Sequence, residues 1–246
     1  SAYPYILMIT ADVPANWRIV LEKVGWQLKE VEYIDGDHLY HMGSEGRFAG
    51  VFTKLHALNL VEYEKIVLLD LDLLVRSNID DLFERPAPSA MRRHASADFV
   101  DGEPISSRSF IDNKGRLISG INAGVMILTP SAKQFKQMLE DIREECPEEH
   151  EKAGMPEQDF LTKFYKDDWH HLSVVYNFQP HQIAFTDRRG LEKCNRLTLD
   201  YTEVKIVHFS AAVKPRDLLL NADFAEYRGC LLYTSPSPRD RTRSRM

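Results

Sequence analysis

One apolar stretch that runs into two carboxylates decides the fold of this chain: Lys65-Ile66-Val67-Leu68-Leu69-Asp70-Leu71-Asp72-Leu73-Leu74-Val75. The apolar run is short and shows no polar alternation, which predicts a strand buried on both faces of a parallel sheet. Asp70 and Asp72 follow where this strand leaves the sheet, and open α/β sheets bind ligands at the carboxyl ends of their strands. Because alternate residues of an extended chain point the same way, both carboxylates can face one site.

Two carboxylates at one strand end suit a hard divalent cation, Mg²⁺ or Mn²⁺, and these cations usually accompany phosphates. The alternative is a solvated strand end or a helix cap, since aspartate is common in both places. A metal site needs a third protein ligand. His208 is the candidate, because it also ends an apolar strand, Val204–Phe209. The alternative for His208 is an ordinary core or surface histidine.

Composition limits the classes of function. The chain has 246 residues, enough for one sizeable α/β domain, and a formal net charge of −6. That charge argues against general nucleic-acid binding, and it means that a diphosphate substrate would need a metal ion or nearby lysines. The three cysteines show no spacing typical of a disulfide framework or a zinc site. No apolar run approaches the roughly 20 residues that span a bilayer.

Hydrophobic periodicity and punctuation predict the remaining elements of a single α/β domain. Strands are predicted near Tyr5–Thr10, Leu28–Ile34, Ser89–Arg92, Val125–Leu128, Leu172–Phe178, Ile183–Thr186 and Val204–Phe209, and helices near Asn16–Val24, Phe48–Leu60, Ile79–Glu84, Ser131–Ile142 and Met155–Tyr165. The polar segment His94–Gly120 is predicted to be a long surface excursion, a type of loop that often carries function.

The last 17 residues, Cys230–Met246, are expected to be foreign to the domain, which we place at residues 1–229. Pro, Ser and Arg crowd together there with almost nothing to bury, and the segment resembles the translation of a transposase sequencing adapter. Because the tail carries four Arg and one Asp, the net charge without it would be −9.

Several motifs, taken together, resemble glycogenin-like glycosyltransferases, the retaining family 8 with a GT-A fold. The matching pieces occur in the family's order: Phe52-Thr53-Lys54-Leu55-His56, Ile66–Val75, Asn78-Ile79-Asp80-Asp81-Leu82-Phe83, Ile121-Asn122-Ala123-Gly124-Val125, Pro156-Glu157-Gln158-Asp159-Phe160-Leu161, and Val207-His208-Phe209 followed by Lys214-Pro215. The resemblance implies a Rossmann-like, mostly parallel sheet flanked by helices. It covers about Ile6 to Pro215.

The resemblance also assigns roles to these residues. Mn²⁺, with Mg²⁺ as the alternative, would be held by Asp70, Asp72 and His208, the first two forming the family's DxD motif. Substrate-binding residues would be Lys54, Asn122, Ala123, Gly124 and Lys214, and catalytic residues would be Glu157, Gln158 and Asp159. The implied reaction moves a hexosyl group from a UDP-sugar, UDP-glucose first, to a hydroxyl of a glycan, protein or lipid head group.

A retaining transfer can proceed in two ways, and the sequence leaves both open. In front-face substitution the leaving phosphate assists the acceptor hydroxyl. A double displacement would instead need a carboxylate near the anomeric carbon, with Asp159 or Glu157 available. Two other functions are also left open: a HAD-type phosphohydrolase using Asp70 and Asp72, and a truncated protein that binds sugar nucleotides without catalysis.

The chain departs from the family pattern at several points. We expect the family's first nucleotide-binding strand, ahead of Tyr3, to be missing, so that Ser1 opens a fragment. The aromatic residue usual after Lys-Pro is replaced by Arg216, and the tyrosine that glycogenin glucosylates has no clear match. A cytoplasmic location is weakly favoured, with the Golgi lumen as the alternative because the true N-terminus is expected to be absent. A homodimer is left open.

Overall fold

The computed structural model describes residues 1–36, 50–93, 100–144, 155–180, 202–210 and 214. The strands are β1 (Ile6–Ile9), β2 (Gln27–Glu30), β3 (Ile66–Leu69), β4 (Leu73–Val75), β5 (Ser89–Arg92), β6 (Ile121–Leu128), β7 (His170–His171) and β8 (Ile206–His208). The α-helices are α1 (Ala15–Lys23), α2 (Ala132–Glu144) and α3 (Pro156–Tyr165). Single 3-10 turns or helices occupy Val51–Asn59, Asp80–Glu84, Ser107–Phe110, Lys166–Asp168 and Val174–Tyr176. The predicted α/β class is confirmed.

The sheets of the described residues are mixed in direction. The largest has four strands in the order β3-β6-β5-β7, in which β6 runs antiparallel to both of its neighbours and β5 runs parallel to β7. The strands β1 and β2 form a parallel pair, and β4 and β8 form an antiparallel pair.

The predicted environment of β3 is wrong in two respects. Its partner β6 is antiparallel, and all four of its residues are half-buried rather than fully buried. A continuous apolar run indicates that both faces of a strand are covered to some extent, but it carries no information on the direction of the partner strand. Among the described residues, the chain between β3 and β6 contains β4, β5 and the two 3-10 turns Asp80–Glu84 and Ser107–Phe110 rather than one crossover helix, and β6 runs in the opposite direction to β3.

Strand β6 is the centre of the core, and its two faces contribute to two different apolar clusters. Ala123, Met126 and Leu128 pack in the larger cluster, whereas Val125 and Ile127 pack in the second. The pairing with β5 shifts in register, because Ala90 lies opposite Met126 while the next residue, Met91, lies opposite Asn122. Residues 123–125 therefore bulge out of the β5 ladder, and such bulges re-aim side chains beside functional sites.

The helix predicted at Phe48–Leu60 is a 3-10 helix, Val51–Asn59, within the described residues. Phe52, Leu55 and Leu58, three residues apart, are its large buried side chains. A 3-10 helix has three residues per turn, so this spacing places all three on one line facing the core. The helix α2, whose Gln134 N–H is accepted by the Ser131 hydroxyl at 3.2 Å, packs against it.

The other predicted elements have different outcomes. The strands at Ser89–Arg92 and Val125–Leu128 and the helix at Met155–Tyr165 are confirmed, with β6 beginning earlier, at Ile121. Leu172–Phe178 contains a 3-10 turn, not a regular strand. The strand predicted at Ile183–Thr186, the tail at 230–246 and residues 94–99 of the polar excursion lie outside the described residues. The domain boundary at residue 229 stays a prediction.

Among the described residues, no helix is both long enough and apolar enough to cross a membrane.

His171 in β7 gives the fold a pH dependence. Its side chain is buried, its Nδ1 accepts the Arg92 N–H at 3.3 Å, and burial lowers the pKa of His171 to about 4. The unfolded chain, with a histidine pKa of about 6.5, takes up this proton first, so the free energy of unfolding falls as the pH drops from about 6.5 towards 4. The loss attributable to His171 is about 3 kcal/mol.

We expect His171→Gln to flatten this part of the stability profile. Urea denaturation of both proteins across that pH range gives the difference in their free energies of unfolding. Groups that titrate alike in both proteins do not contribute to this difference. Parallel curves for the two proteins would contradict the assignment.

Candidate metal centre

Two strand ends bring Asp70, Asp72 and His208 together. The Asp70 N–H donates to the Gly124 carbonyl at 2.9 Å, which fixes the end of β3 against the bulged part of β6. Two residues later β4 begins, and its Leu73 lies opposite His208 in the antiparallel β8. One potential ligand atom from each of Asp70, Asp72 and His208 lies within 4.8 Å of the others. The sequence prediction that these three side chains share one site agrees with their placement.

The donor set fits a hard divalent cation. Two carboxylates and one imidazole are ligands that Mn²⁺ and Mg²⁺ accept, the imidazole favouring Mn²⁺. Asp70 gives one oxygen, Oδ1, to a lysine, and among the described residues its Oδ2 is not hydrogen-bonded. Asp72 gives Oδ2 to a lysine, while its Oδ1 lies 3.3 Å from His208 Nε2. One oxygen from each aspartate and the Nε2 atom therefore remain as potential ligand atoms of the candidate site.

Lys54 and Lys214 each pair with one aspartate of the candidate site. Lys54, from the 3-10 helix, donates to Asp70 Oδ1 at 2.7 Å and lies 3.5 Å from Glu157 Oε1. Burial would lower the pKa of Lys54, but the two carboxylates outweigh it and the pKa is raised. Lys214 donates to Asp72 Oδ2 at 2.8 Å and to the Phe209 carbonyl at 2.7 Å. The ammonium groups thus hold the two aspartates in place.

Asp72 is held in its ionised form. Partial burial would raise the pKa of Asp72, but the neighbouring His208 and Lys214 side chains outweigh it and keep that pKa well below its usual range. A metal ligand must be deprotonated, so the Asp72 carboxylate already has the protonation state that cation binding requires.

The first turn of α3 supplies three further candidate residues in different settings. Glu157 is buried, burial raises its pKa, and its Oε2 has no hydrogen-bond partner among the described residues. Asp159 forms a buried ion pair with Arg93 and also accepts the Met155 N–H at 3.3 Å. Gln158 Oε1 accepts the N–H of Ala123 at 3.3 Å. Through Lys54, Glu157 is connected to Asp70, whereas Asp159 is turned to Arg93.

Asn122 and Gly124 lie on the bulge of β6 beside the metal candidates. Asn122 Oδ1 accepts two hydrogen bonds, from the Gly124 N–H at 3.0 Å and from Asn177 Nδ2 at 2.8 Å. Gly124 packs directly against the imidazole: a Cβ added there would overlap His208 Cε1 and lie 2.6 Å from Nδ1. Ala123 is buried between them.

Two residues of this neighbourhood are absent from the sequence prediction. Asn177 is fully buried, and its Oδ1 lies 2.8 Å from His208 Nδ1. Arg93 directly follows β5 and pairs with Asp159. The available signals were a single amide inside the apolar run Val174–Phe178 and a basic residue at a predicted strand end, and neither points to a partner distant in sequence.

Solved structures identify the fold. The chain resembles the glycosyltransferase GlyE of Streptococcus pneumoniae, with a TM-score of 0.54 and 20% identity over 96% of this chain and 55% of that one. It also resembles the galactosyltransferase LgtC, solved with donor and acceptor sugar analogues, with a TM-score of 0.51 and 17% identity over 89% of this chain and 79% of that one. The predicted GT-A fold is confirmed.

The chain belongs to glycosyl transferase family 8, whose model matches residues 3–216. It is 33% identical to the uncharacterised protein R707 of Acanthamoeba polyphaga mimivirus, over 91% of this chain and 74% of that protein. It is 29% identical to galactinol synthase 1 of Solanum lycopersicum (79% of this chain, 63% of the enzyme) and 28% identical to human glycogenin-2 (85% and 37%). It therefore spans under two thirds of those two relatives.

The contact between Gly124 and His208 predicts the behaviour of Gly124→Ala. The added methyl group must displace the imidazole, so we expect binding of Mn²⁺, the cation implied by the family resemblance, to weaken at least ~10-fold. Isothermal titration calorimetry with MnCl₂ measures the change, and circular dichroism checks that the fold is retained.

Gly102→Ala is the matched control. Gly102 has a φ of +84° and nothing within 4 Å of an added Cβ, so alanine there strains the backbone without touching the site. We expect this variant to lose stability and to keep its Mn²⁺ affinity. Equal loss of affinity in both variants would show that the effect is general destabilisation.

Proposed function

We propose that this family 8 protein is a retaining hexosyltransferase, which moves a hexosyl group from a UDP-sugar to a hydroxyl acceptor with Mn²⁺ bound by Asp70, Asp72 and His208. One observation carries the proposal: two aspartates and a histidine converge at the end of β3 with an ammonium group on either side, from Lys54 and Lys214. UDP-glucose is the first choice of donor.

The charges of this corner match the electrostatics of the reaction. When the anomeric C–O bond breaks, negative charge develops on the departing nucleotide diphosphate. Bound there, the cation would neutralise part of that charge as a Lewis acid. Lys54 and Lys214 already lie beside the two aspartates, so their ammonium groups would also neutralise phosphate charge there.

The settings of Glu157 and Asp159 support different roles for them. Both oxygens of Asp159 are engaged, one by Arg93 and one by the Met155 N–H, which makes this carboxylate a poor nucleophile. Glu157 keeps Oε2 without a partner among the described residues and shares Lys54 with Asp70. We assign Glu157 to the donor-sugar side of the site and Asp159 to anchoring α3. In a double displacement Glu157 would be the carboxylate that attacks, whereas front-face substitution needs neither.

The relatives guide the choice of substrates. A glycogenin is among them, which favours glucose, and the galactosyltransferase LgtC keeps galactose as the second donor candidate. The acceptor is a glycan, a protein or a lipid head group. Asn122 is a candidate for sugar binding. Its Oδ1 accepts both of its side-chain hydrogen bonds, and its Nδ2 group donates to no described residue, so Nδ2 could donate to a sugar hydroxyl. The cytoplasmic location, the Golgi alternative and the homodimer stay predictions.

Removing single metal ligands tests the proposal. We expect Asp72→Asn and His208→Ala each to lower Mn²⁺-dependent turnover of UDP-glucose or UDP-galactose at least ~100-fold, because the Lewis acid is worth several kcal/mol in such reactions. Release of UDP measures turnover, and EDTA should remove the wild-type activity.

His170→Ala, on β7, is the control, because this histidine lies outside the metal site and its ring contacts the Pro88 carbonyl. Full activity in either ligand variant would contradict the metal assignment. Cleavage of phosphomonoesters with Mg²⁺ in place of UDP-sugar turnover would favour the phosphohydrolase, and no activity on either substrate would favour the non-catalytic alternative.

A further inference from the structure

We propose that Asn177 is a positioning residue for the metal site: its amide fixes the proton of His208 on Nδ1 and so leaves Nε2 bare to bind the cation. The inference rests on the proposed metal site and adds the residue that prepares one of its ligands. Asn177 touches neither Asp70 nor Asp72 in the described contacts, and it acts only through His208.

The backbone brings Asn177 to the imidazole. Phe178 forms a parallel bridge with Val207 of β8, its N–H donates to the Ile206 carbonyl at 3.1 Å, and its carbonyl accepts the His208 N–H at 2.7 Å. The residue before Phe178 is thereby held beside the side chain of His208. Asn177 is fully buried there, and His208 is 3% exposed. A buried amide that lost its partners would cost about 1–3 kcal/mol, so the arrangement is strongly constrained.

The direction of the hydrogen bonds follows from one group that can only donate. The Gly124 backbone N–H lies 3.0 Å from the side chain of Asn122, which must therefore present its oxygen, Oδ1. Asn177, 2.8 Å from that same oxygen, must present its Nδ2 group to it. The remaining Oδ1 of Asn177 then faces His208 Nδ1 at 2.8 Å and requires a proton on that nitrogen. A backbone donor thus sets the histidine tautomer through two amides.

Asp72 favours the other tautomer of His208, with the proton on Nε2. Its Oδ1 lies 3.3 Å from Nε2 and would accept a proton placed there, which would block the nitrogen that a cation needs. Asn177 opposes this tautomer, because with Nδ1 bare its buried Oδ1 would face a second acceptor. The outer partners of a metal-binding histidine commonly fix its tautomer in this way, and their loss typically costs 10–100-fold in metal affinity.

The tautomer can be measured without metal and without activity. In the protein labelled with ¹⁵N-histidine, long-range ¹H–¹⁵N correlation spectra at about pH 8.5, where an ordinary histidine is neutral, distinguish protonated from bare ring nitrogens. The signals of His208 are assigned by their loss in His208→Gln. We expect Nδ1 protonated and Nε2 bare in the wild type. In Asn177→Leu, which keeps the branched shape of the side chain and removes both hydrogen bonds, we expect the proton on Nε2.

Mn²⁺ affinity provides the second measurement. We expect calorimetry to show binding 10–100-fold weaker in Asn177→Leu than in the wild type. Asn59→Leu is the matched control: Asn59 ends the 3-10 helix Val51–Asn59 with an exposed side chain, so the same substitution there should leave the affinity unchanged.

The results of these measurements separate the role of Asn177 from the proposed metal binding. A wild-type spectrum with a proton on Nε2 would overturn the role of Asn177, and this result needs no variant to fold. Unchanged affinity and tautomer in Asn177→Leu would overturn it as well. A wild type that shows the Nδ1–H tautomer but binds no Mn²⁺ would instead contradict the proposed function, while the hydrogen-bond direction would stand.

Discussion

The site depends on the backbone of one residue, Gly124. Its carbonyl accepts the Asp70 N–H, which fixes where the first metal candidate leaves β3. Its N–H donates to Asn122, the first link of the amide pair that reaches His208. Its missing side chain leaves the space in which the imidazole packs. These three functions meet where β6 departs from the β5 ladder, and a regular strand with a side chain at this position could not provide them together.

Charge balance is the second constraint on the site. Asp70, Asp72 and Glu157 lie close together, and three partly or fully buried carboxylates would repel one another if nothing intervened. Lys54 lies between Asp70 and Glu157, and Lys214 holds the far oxygen of Asp72. The two lysines offset the repulsion between these carboxylates, and their ammonium groups are the ones that a diphosphate would recruit. The same charges therefore stabilise this corner of the fold and suit the diphosphate of the proposed donor.

Much of this arrangement follows from local sequence. Apolar runs mark β3 and β8, and the polar residues Asp70, Asp72 and His208 lie at the ends of these runs. They converge because Asp70 and Asp72 lie on the turn from β3 to β4, and β4 pairs with β8 so that Leu73 lies opposite His208. The three-residue spacing of the buried side chains in Val51–Asn59 even indicates its 3-10 geometry, although the sequence prediction specified only a helix.

The remainder depends on contacts between residues distant in sequence. The antiparallel partner of β3 lies more than fifty residues away, and an apolar run does not encode strand direction. The role of Asn177 requires that residues 177–178 align with β8, and the pairing of Asp159 requires that Arg93 follow β5. Asparagine and arginine in such positions look like surface residues until the fold brings their partners to them.

The three candidate metal ligands come from two different sheets. Asp70 is fixed to the four-stranded sheet through β6, whereas Asp72 and His208 belong to the separate β4–β8 pair. A cation bound by all three would therefore connect the two sheets at the junction where the turn between β3 and β4 and the contact of Gly124 with His208 already join them. A ligand that binds only the folded state stabilises it by an amount that grows with the logarithm of its concentration relative to Kd, and here the stabilisation would act at the junction of the sheets. The metal would then stabilise the shape of the donor pocket as well as act in the reaction. Asn177 would contribute to both roles because it orients His208, the ligand on β8.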